Sequence, residues 1–124
     1  MGQQLIRCVR ERHPQVHTTA VGTNSMATAA MLKGGAHQAA TGENAAVVAC
    51  RQADVIMGPL GIVVADALLG EISPAMAVAV GQSRARKILL PIDRCNTLVV
   101  GVGDYSLSAL LECALEELGR LLKA

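Results

Sequence analysis

The feature that most limits the fold of this chain is a regular alternation of short extended runs with helical runs. Extended runs occupy residues 16–21, 37–40, 54–57, 87–90 and 98–102. Helical periodicity occupies residues 3–12, 25–33, 43–52, 62–69, 73–81 and 106–122. Strands that alternate with helices are typical of an α/β fold with a largely parallel sheet. A chain of 124 residues fits a single domain of this class.

The last two predicted strands are separated only by the residues IDRCN. A gap of this length admits a hairpin but not the right-handed crossover that parallel strands need. The predicted fold is therefore α/β and Rossmann-like, with a doubly wound, mostly parallel sheet and an antiparallel last strand.

The pattern starts one unit late for such a fold. In a doubly wound sheet, a strand and a glycine-rich turn precede the first helix. Here the helix at residues 3–12 comes at once, and Met1 and Gly2 stand where that turn would end. We therefore expect the first strand to be missing. The strands at residues 16–21 and 54–57 would lose their shared neighbour, and would pair directly or take a partner chain in a homo-oligomer.

Composition excludes several classes of protein. Lys and Arg number 11 against 10 Asp and Glu, and Tyr105 is the single aromatic residue, so neither a basic groove nor base-stacking surface for nucleic acid is expected. No apolar run approaches the roughly 20 residues that span a bilayer. Cys8, Cys50, Cys95 and Cys113 form no CxxC motif. We expect a cytoplasmic protein with reduced cysteines and without a zinc site.

Glycine-containing or polar motifs follow four of the predicted strands. Ligands of doubly wound sheets bind beyond the carboxyl ends of the strands, and these ends meet at one edge. The candidate ligand-binding residues are, turn by turn, Gly22, Thr23, Asn24 and Ser25; Thr41, Gly42, Glu43 and Asn44; Gly58, Pro59 and Gly61; and Asp93, Arg94, Cys95 and Asn96.

The first two turns also have a purely structural interpretation. Thr23, Asn24 or Ser25 could cap the following helix. Thr41 could cap the next one, and Glu43 suits the positive end of that helix dipole. The functional alternative is that the free helix amides bind an anion or ribose hydroxyls.

The other two turns leave the same choice open. Glycines on both sides of Pro59 allow a close backbone approach, which suits a ligand. Asp93 and Arg94 could simply pair in a surface turn. Cys95, next to Arg94, is a candidate for thiolate character.

Four motifs carry a resemblance to a known family: VGTNSMATAAMLKGGA, ATGENAAVV, ADVIMGPLGIVVADALLGEISPAMA and KILLPIDRCN. In this order they resemble a small, uncharacterised bacterial family of Rossmann-like proteins that is catalogued as a domain of unknown function. The resemblance covers nearly the whole chain and implies a Rossmann-like fold. Members usually begin with an apolar strand that runs into a glycine-rich turn, of which this chain keeps only Gly2. The resemblance implies no chemistry.

Three hypotheses for function follow. The first is a domain that binds a small nucleotide-like or anionic molecule at the turns; an enzyme and a binding module fit equally, since no catalytic residues can be identified. The second is a structural or regulatory homo-oligomer without a ligand. The third is a redox or metal protein that uses Cys50 and Cys95. The case for NAD(P) is weak, because the phosphate turn is absent and the first acid after residues 16–21 is Glu43.

Overall fold

The computed structural model describes residues 1–92 and 96–123 and has an α/β fold in this part of the chain. Its helices are α1 (Gly2–Arg12), α2 (Ser25–Lys33), α3 (Glu43–Gln52), α4 (Pro74–Gln82) and α5 (Leu107–Lys123), with a 3-10 helix at Leu60–Val63. Its strands are β1 (Thr19–Gly22), β2 (Gln38–Thr41), β3 (Val55–Pro59) and β4 (Arg86–Leu90). The alternation of strands and helices is confirmed.

The strands form two separate sheets of two parallel strands each. In one, Thr19 of β1 lies opposite Gln38 of β2; in the other, Val55 of β3 lies opposite Arg86 of β4. Among the described residues, no backbone hydrogen bond joins β1 to β3. The expected direct pairing of these two strands is therefore wrong for this structure.

Side chains of β1 and β3 pack against two separate apolar clusters. One cluster joins α1, β4 and α5: Leu5, Val9, Leu90, Leu110, Leu111, Ala114, Leu115 and Leu118. Val55 and Met57 of β3 pack against this cluster. The other joins α3, α4 and the loop before α4: Ala46, Ala67, Ile72, Met76 and Ala77. Val21 of β1 packs there, so each strand is positioned by a different set of side chains.

The antiparallel last strand predicted at residues 98–102 is not formed. Residues 96–105 run as turns and coil, and the side chains of Leu98 and Val100 are 89% and 98% exposed. Strand propensity reflects how well a side chain fits a pleated, half-buried surface. Without apolar neighbours, this segment gains nothing from an extended ladder.

The helix predicted at residues 62–69 is also wrong. The chain instead forms the short 3-10 helix and then a loop at residues 64–72. Three residues other than glycine have left-handed φ angles there: Asp66 at 66°, Leu68 at 57° and Leu69 at 56°. This conformation ends a right-handed helix. The amide of Asp66 donates to the carbonyl of Ile72 at 2.7 Å and closes the loop.

Two predicted helix starts are confirmed by their caps. The hydroxyl of Ser73 accepts a hydrogen bond from the amide of Met76 at 3.2 Å, and Pro74 occupies the first turn of α4. The hydroxyl of Ser106 accepts from the amide of Ala109 at 3.2 Å at the start of α5. Each bond satisfies one of the amides that a helix start leaves without a partner.

The helices pack in two groups. Helix α1 contacts α2 and α5, whereas α3 contacts α4. No helix in residues 1–92 and 96–123 has the length and apolar character needed to cross a membrane.

Candidate functional site

The turn between β1 and α2 is organised by Asn24. Its Oδ1 accepts a hydrogen bond from the amide of Ala27 at 2.9 Å, which confirms the capping interpretation for this residue. Its Nδ2 donates to Oε2 of Glu71 at 2.9 Å, across 47 residues of sequence. Asn24 therefore caps a helix and binds a carboxylate from a distant loop. Thr23 beside it is half-buried, and Ser25 is the exposed first residue of α2.

Gly22 is where β1 meets the first turn of α2 most closely. A Cβ atom there would lie 2.2 Å from Oγ1 of Thr28 and 2.6 Å from its backbone nitrogen. Gly22 is also buried. Only glycine fits, so this residue serves the tight strand-to-helix turn.

Thr28, which the sequence did not single out, ties the first turn to the second. Its buried hydroxyl lies 2.7 Å from the hydroxyl of Thr41 and donates to the carbonyl of Asn24 at 3.1 Å. The amide of Gly42 donates to the carbonyl of Gly22 at 3.0 Å. The turns after β1 and β2 are thus held together by side-chain and backbone hydrogen bonds.

The expected capping of α3 by Thr41 is wrong. The N-cap residue is Gly42, with φ 98°, and it makes no side-chain capping hydrogen bond. The left-handed conformation of Gly42 starts the helix one residue later, and the Thr41 hydroxyl lies against Thr28 instead. Glu43 does lie in the first helical turn, as predicted, and Asn44 follows it, exposed. The first turn of α3 therefore offers amides without a side-chain cap.

The third turn has a packing explanation. A Cβ atom on Gly58 would lie 3.1 Å from Cδ1 of Ile62, so the close approach is to the chain's own 3-10 helix. Pro59 ends β3, and Gly61 is buried within the 3-10 helix. This motif contributes to the site indirectly, because the loop that follows it carries Glu71.

The fourth turn is only partly described. Asp93, Arg94 and Cys95 lie outside the described residues, so the expected role of these three stays a prediction. Asn96 is exposed and has φ 62°. Of the predicted site, the turns after β1 and β2 are joined by the hydrogen bond between Thr28 and Thr41. The loop at residues 64–72 is joined to them by the hydrogen bond between Asn24 and Glu71.

Glu71 is the polar residue of this edge that sequence reasoning missed. The notable feature is an exposed carboxylate beside the amino end of α2, where the sequence showed no acid after β1. It comes from the loop after β3. The local sequence carries only a turn signal, Gly70 after two leucines, and that signal does not reveal which turn the loop approaches.

A groove lies between α3 and α4, away from the candidate turns. It measures about 500 Å³ and is lined by Val47, Cys50, Arg51, Ala53, Ala75, Val78, Ala79, Gln82, Ser83 and Arg84. Ala53 precedes β3 and Arg84 precedes β4, so this groove lies toward the amino ends of those strands. It is separate from the candidate turns.

The thiol of Cys50 lies in surroundings that favour its protonated form. Cys50 is buried, and burial raises the pKa of its thiol, opposed by the charge of Lys87. A thiol with a raised pKa is a weak nucleophile at neutral pH. Residues 1–92 and 96–123 contain no group of three or more His, Cys, Asp and Glu side chains placed to hold a metal ion.

His37 lies near the amino ends of β1 and β2, and its Nδ1 accepts a backbone hydrogen bond. The amide of Thr18 donates to its Nδ1 at 3.0 Å, Nη1 of Arg10 lies 2.9 Å from Nε2, and the ring of His17 stacks at 4.8 Å. Desolvation, and then the charges of Arg10 and His17, lower the pKa of His37.

A neutral His37 therefore stabilises the fold, and stability should fall with acid. Because the folded pKa is lowered, protons bind the unfolded chain first as the pH drops below about 6.5. We expect the melting temperature of the wild type to fall between pH 7.5 and 5.5. His37→Gln, whose amide oxygen can still accept from Thr18, should show a smaller fall. Identical pH profiles of the two proteins, recorded by circular dichroism, would rule out this role.

Comparison with known families gives one match. A family model for a domain of unknown function (DUF3842) matches residues 1–123. No curated protein and no solved structure shows a significant match.

Proposed function

The chain belongs to the DUF3842 family of domains of unknown function, and from the site alone we propose that it binds a small, nucleotide-like molecule. The binding surface comprises the turns after β1 and β2 together with the loop at residues 64–72. In the proposed complex, the sugar hydroxyls of the ligand face Glu71, and its anionic group faces the start of α3. The same surface serves a binding module or an enzyme.

The observation that carries this proposal is the contact between Asn24 and Glu71. Oδ1 of Asn24 is held by the helix cap, which fixes the direction of Nδ2 toward the carboxylate. A carboxylate has two oxygens that accept several hydrogen bonds, and Asn24 takes one of them. Glu71 is exposed, so its remaining lone pairs are accessible to the hydroxyls of a ribose or another sugar.

The start of α3 supports the anionic part of the ligand. Its first-turn amides have no side-chain cap, and no heavy atom lies within 4 Å of the Cβ position on Gly42. Free amides at the positive end of a helix favour phosphate or carboxylate groups. The hydrogen bond between the hydroxyls of Thr28 and Thr41, and that from the Gly42 amide to the Gly22 carbonyl, keep this helix start beside the turn that holds Asn24.

The proposal also concerns the fold: the two strand pairs, with their helices, are the two halves of one Rossmann-like, doubly wound arrangement. Support comes from the two parallel strand pairs and from the packing of α1 with α2 and α5 and of α3 with α4. Val21, near the carboxyl end of β1, and Ile62, which follows β3, pack against the same apolar cluster. Ligand sites of such folds lie at the carboxyl ends of the strands.

The test is a thermal-shift screen with purine and pyrimidine nucleotides, sugar phosphates and inorganic phosphate. A ligand at 100 times its dissociation constant should stabilise the fold by about 2.7 kcal/mol. Glu71→Gln should weaken binding of that compound about tenfold or more, because a charged acceptor is lost. Glu117→Gln makes the same charge change on the exposed face of α5 and should leave binding unaltered.

Two results would contradict the proposal. One is a screen in which no nucleotide or sugar phosphate stabilises the wild type. The other is a hit that Glu71→Gln and Glu117→Gln weaken equally, since the effect would then follow net charge rather than the site.

A further inference from the structure

Helix α4 is apolar on the side that faces away from the core. Its sequence, PAMAVAVGQ, contains no charged residue, and Gln82 is the single polar one. A helix that is apolar on all sides is normally buried. Here Met76 and Val80 are buried, whereas Val78 on the other side is 52% exposed. The outer side of α4 therefore offers apolar surface to a ligand or partner.

This outer side forms one wall of the groove between α3 and α4. Val78 and Ala79 line the groove from α4, and Val47 lines it from α3. The hydroxyl of Ser83 donates to the carbonyl of Cys50 at 2.7 Å, which ties the carboxyl end of α4 to the last turn of α3. The volume of about 500 Å³ lies within the range of small-molecule pockets. The groove is thus formed without a ligand and has largely apolar walls.

One end of the groove is positively charged. Arg51 lies in the last turn of α3, and Arg84 directly follows Ser83, the C-cap of α4. Nζ of Lys87 donates to the carbonyl of Ser83 at 2.7 Å and adds a third cation nearby. None of the described residues that line the groove is acidic, and neither arginine forms an ion pair with another described residue. Guanidinium groups in such a place favour a carboxylate or phosphate, which they bind through paired hydrogen bonds.

Charge and size distinguish the possible occupants of the groove. A symmetric contact of two copies across it would bring together the arginines of both copies, with no acid among the described lining residues to balance them. Ten described residues line the groove, whereas each side of a standard protein interface has about 20–30. Cations at one end and apolar walls along the rest match a small molecule with one anionic group and an apolar chain.

We propose that the groove between α3 and α4 binds a carboxylate with an apolar chain, of the fatty-acid class, at a site separate from that of the nucleotide-like ligand. The carboxylate pairs with Arg51 and Arg84, and the chain lies along Val47, Val78 and Ala79. Contact with these side chains removes the methylene groups of the ligand from water. Helix α4 has nine residues and is about 13 Å long, which suits a chain of medium length such as that of octanoate.

The test is an amide chemical-shift titration by NMR with octanoate, at concentrations below those at which it forms micelles. We expect saturable shifts at residues 47–53 and 75–84. Acetate carries the carboxylate without the chain, and octanol carries the chain without the charge. Each should bind at least about tenfold more weakly than octanoate, because each lacks one of the two interactions.

A pair of double variants tests the role of the arginines. Arg51→Gln, Arg84→Gln should weaken octanoate binding about tenfold or more, because the charged hydrogen-bond donors are lost. Both arginines are exposed, so this variant should keep the fold. Arg7→Gln, Lys33→Gln is the matched control, since it removes two positive charges from exposed positions in α1 and α2. It should leave octanoate binding unaltered.

Four results would overturn the proposal. The first is the absence of saturable shifts in the groove at millimolar octanoate. The second is octanol binding as tightly as octanoate, which would leave the arginines without a role. The third is equal weakening by the two double variants, which would indicate a general effect of net charge. The fourth is a dimer, detected by light scattering, whose interface covers the groove and excludes octanoate.

Discussion

Gly22→Ala should cost at least about 3 kcal/mol of folding free energy, at the upper end of what overpacking costs in protein cores. The new methyl carbon would lie 2.2 Å from Oγ1 of Thr28 and 2.6 Å from its backbone nitrogen. Rotation of a side chain relieves the first contact but not the second. Helix α2 must therefore move away from β1, and the hydrogen bond between the hydroxyls of Thr28 and Thr41 should be lost with it. Urea unfolding measures the change.

Gly81→Ala is the matched control for this substitution. Gly81 lies in α4, is exposed, and has no heavy atom within 4 Å of its Cβ position. Alanine is favoured over glycine in helices by about 1 kcal/mol, so this variant should be somewhat more stable than the wild type. If both substitutions changed stability by the same amount and sign, the close packing of Gly22 on Thr28 would be wrong.

Leu90→Ala should cost about 2–5 kcal/mol, the range for truncating a buried leucine. Leu90 ends β4, is 2% exposed, and belongs to the cluster that joins α1 and α5. The alanine would leave a cavity beside the leucines of α5. These leucines are already packed in the core, so few atoms can move to fill the cavity. Thermal or urea unfolding of the variant measures the loss.

Leu122→Ala makes the same change at a position in α5 that is 43% exposed. It should cost well under half as much, since fewer apolar contacts are lost. Equal costs at Leu90 and Leu122 would show that β4 does not pack against α5 as described.

The helices were the most predictable part of this fold, because their signals are local. Residues 25–33 and 43–52 are helical with the predicted bounds, and Ser73 and Pro74 mark the start of α4 as expected. The apolar periodicity of α5 correctly identified the face that packs in the core, including Leu110 and Leu118. Capping residues and apolar spacing act within a few residues, so they can be read from one segment at a time.

Strand pairing was less predictable, because a strand depends on a neighbour distant in sequence. The segment at residues 98–102 has strand-forming residues but no strand partner among residues 1–92 and 96–123, and it stays in turns and coil. Val21 of β1 and Met57 of β3 likewise pack against different clusters, and the two strands do not pair with each other. Neither fact follows from propensity.

The candidate site likewise has one feature that could be predicted from local sequence and others that depend on distant residues. The cap by Asn24 was among the predicted interpretations, whereas its contact with Glu71 depends on a loop 47 residues away. Thr28 looked like an ordinary residue within a helix, yet its hydroxyl links two turns. The failed cap at Thr41 depends on the left-handed φ of Gly42. A glycine allows a positive φ but does not require it, and hydrogen bonds between distant segments have no signature in a single residue.

The most direct measurement is an amide chemical-shift titration by NMR with the nucleotide or sugar phosphate that stabilises the protein most. Binding at the proposed site predicts the largest shifts at residues 22–25, at residues 41–44 and in the loop at residues 64–72, and these shifts should weaken in Glu71→Gln. Shifts concentrated instead on Val47, Arg51 and Arg84 would assign the ligand to the groove between α3 and α4. That result would contradict a site at the turns after β1 and β2.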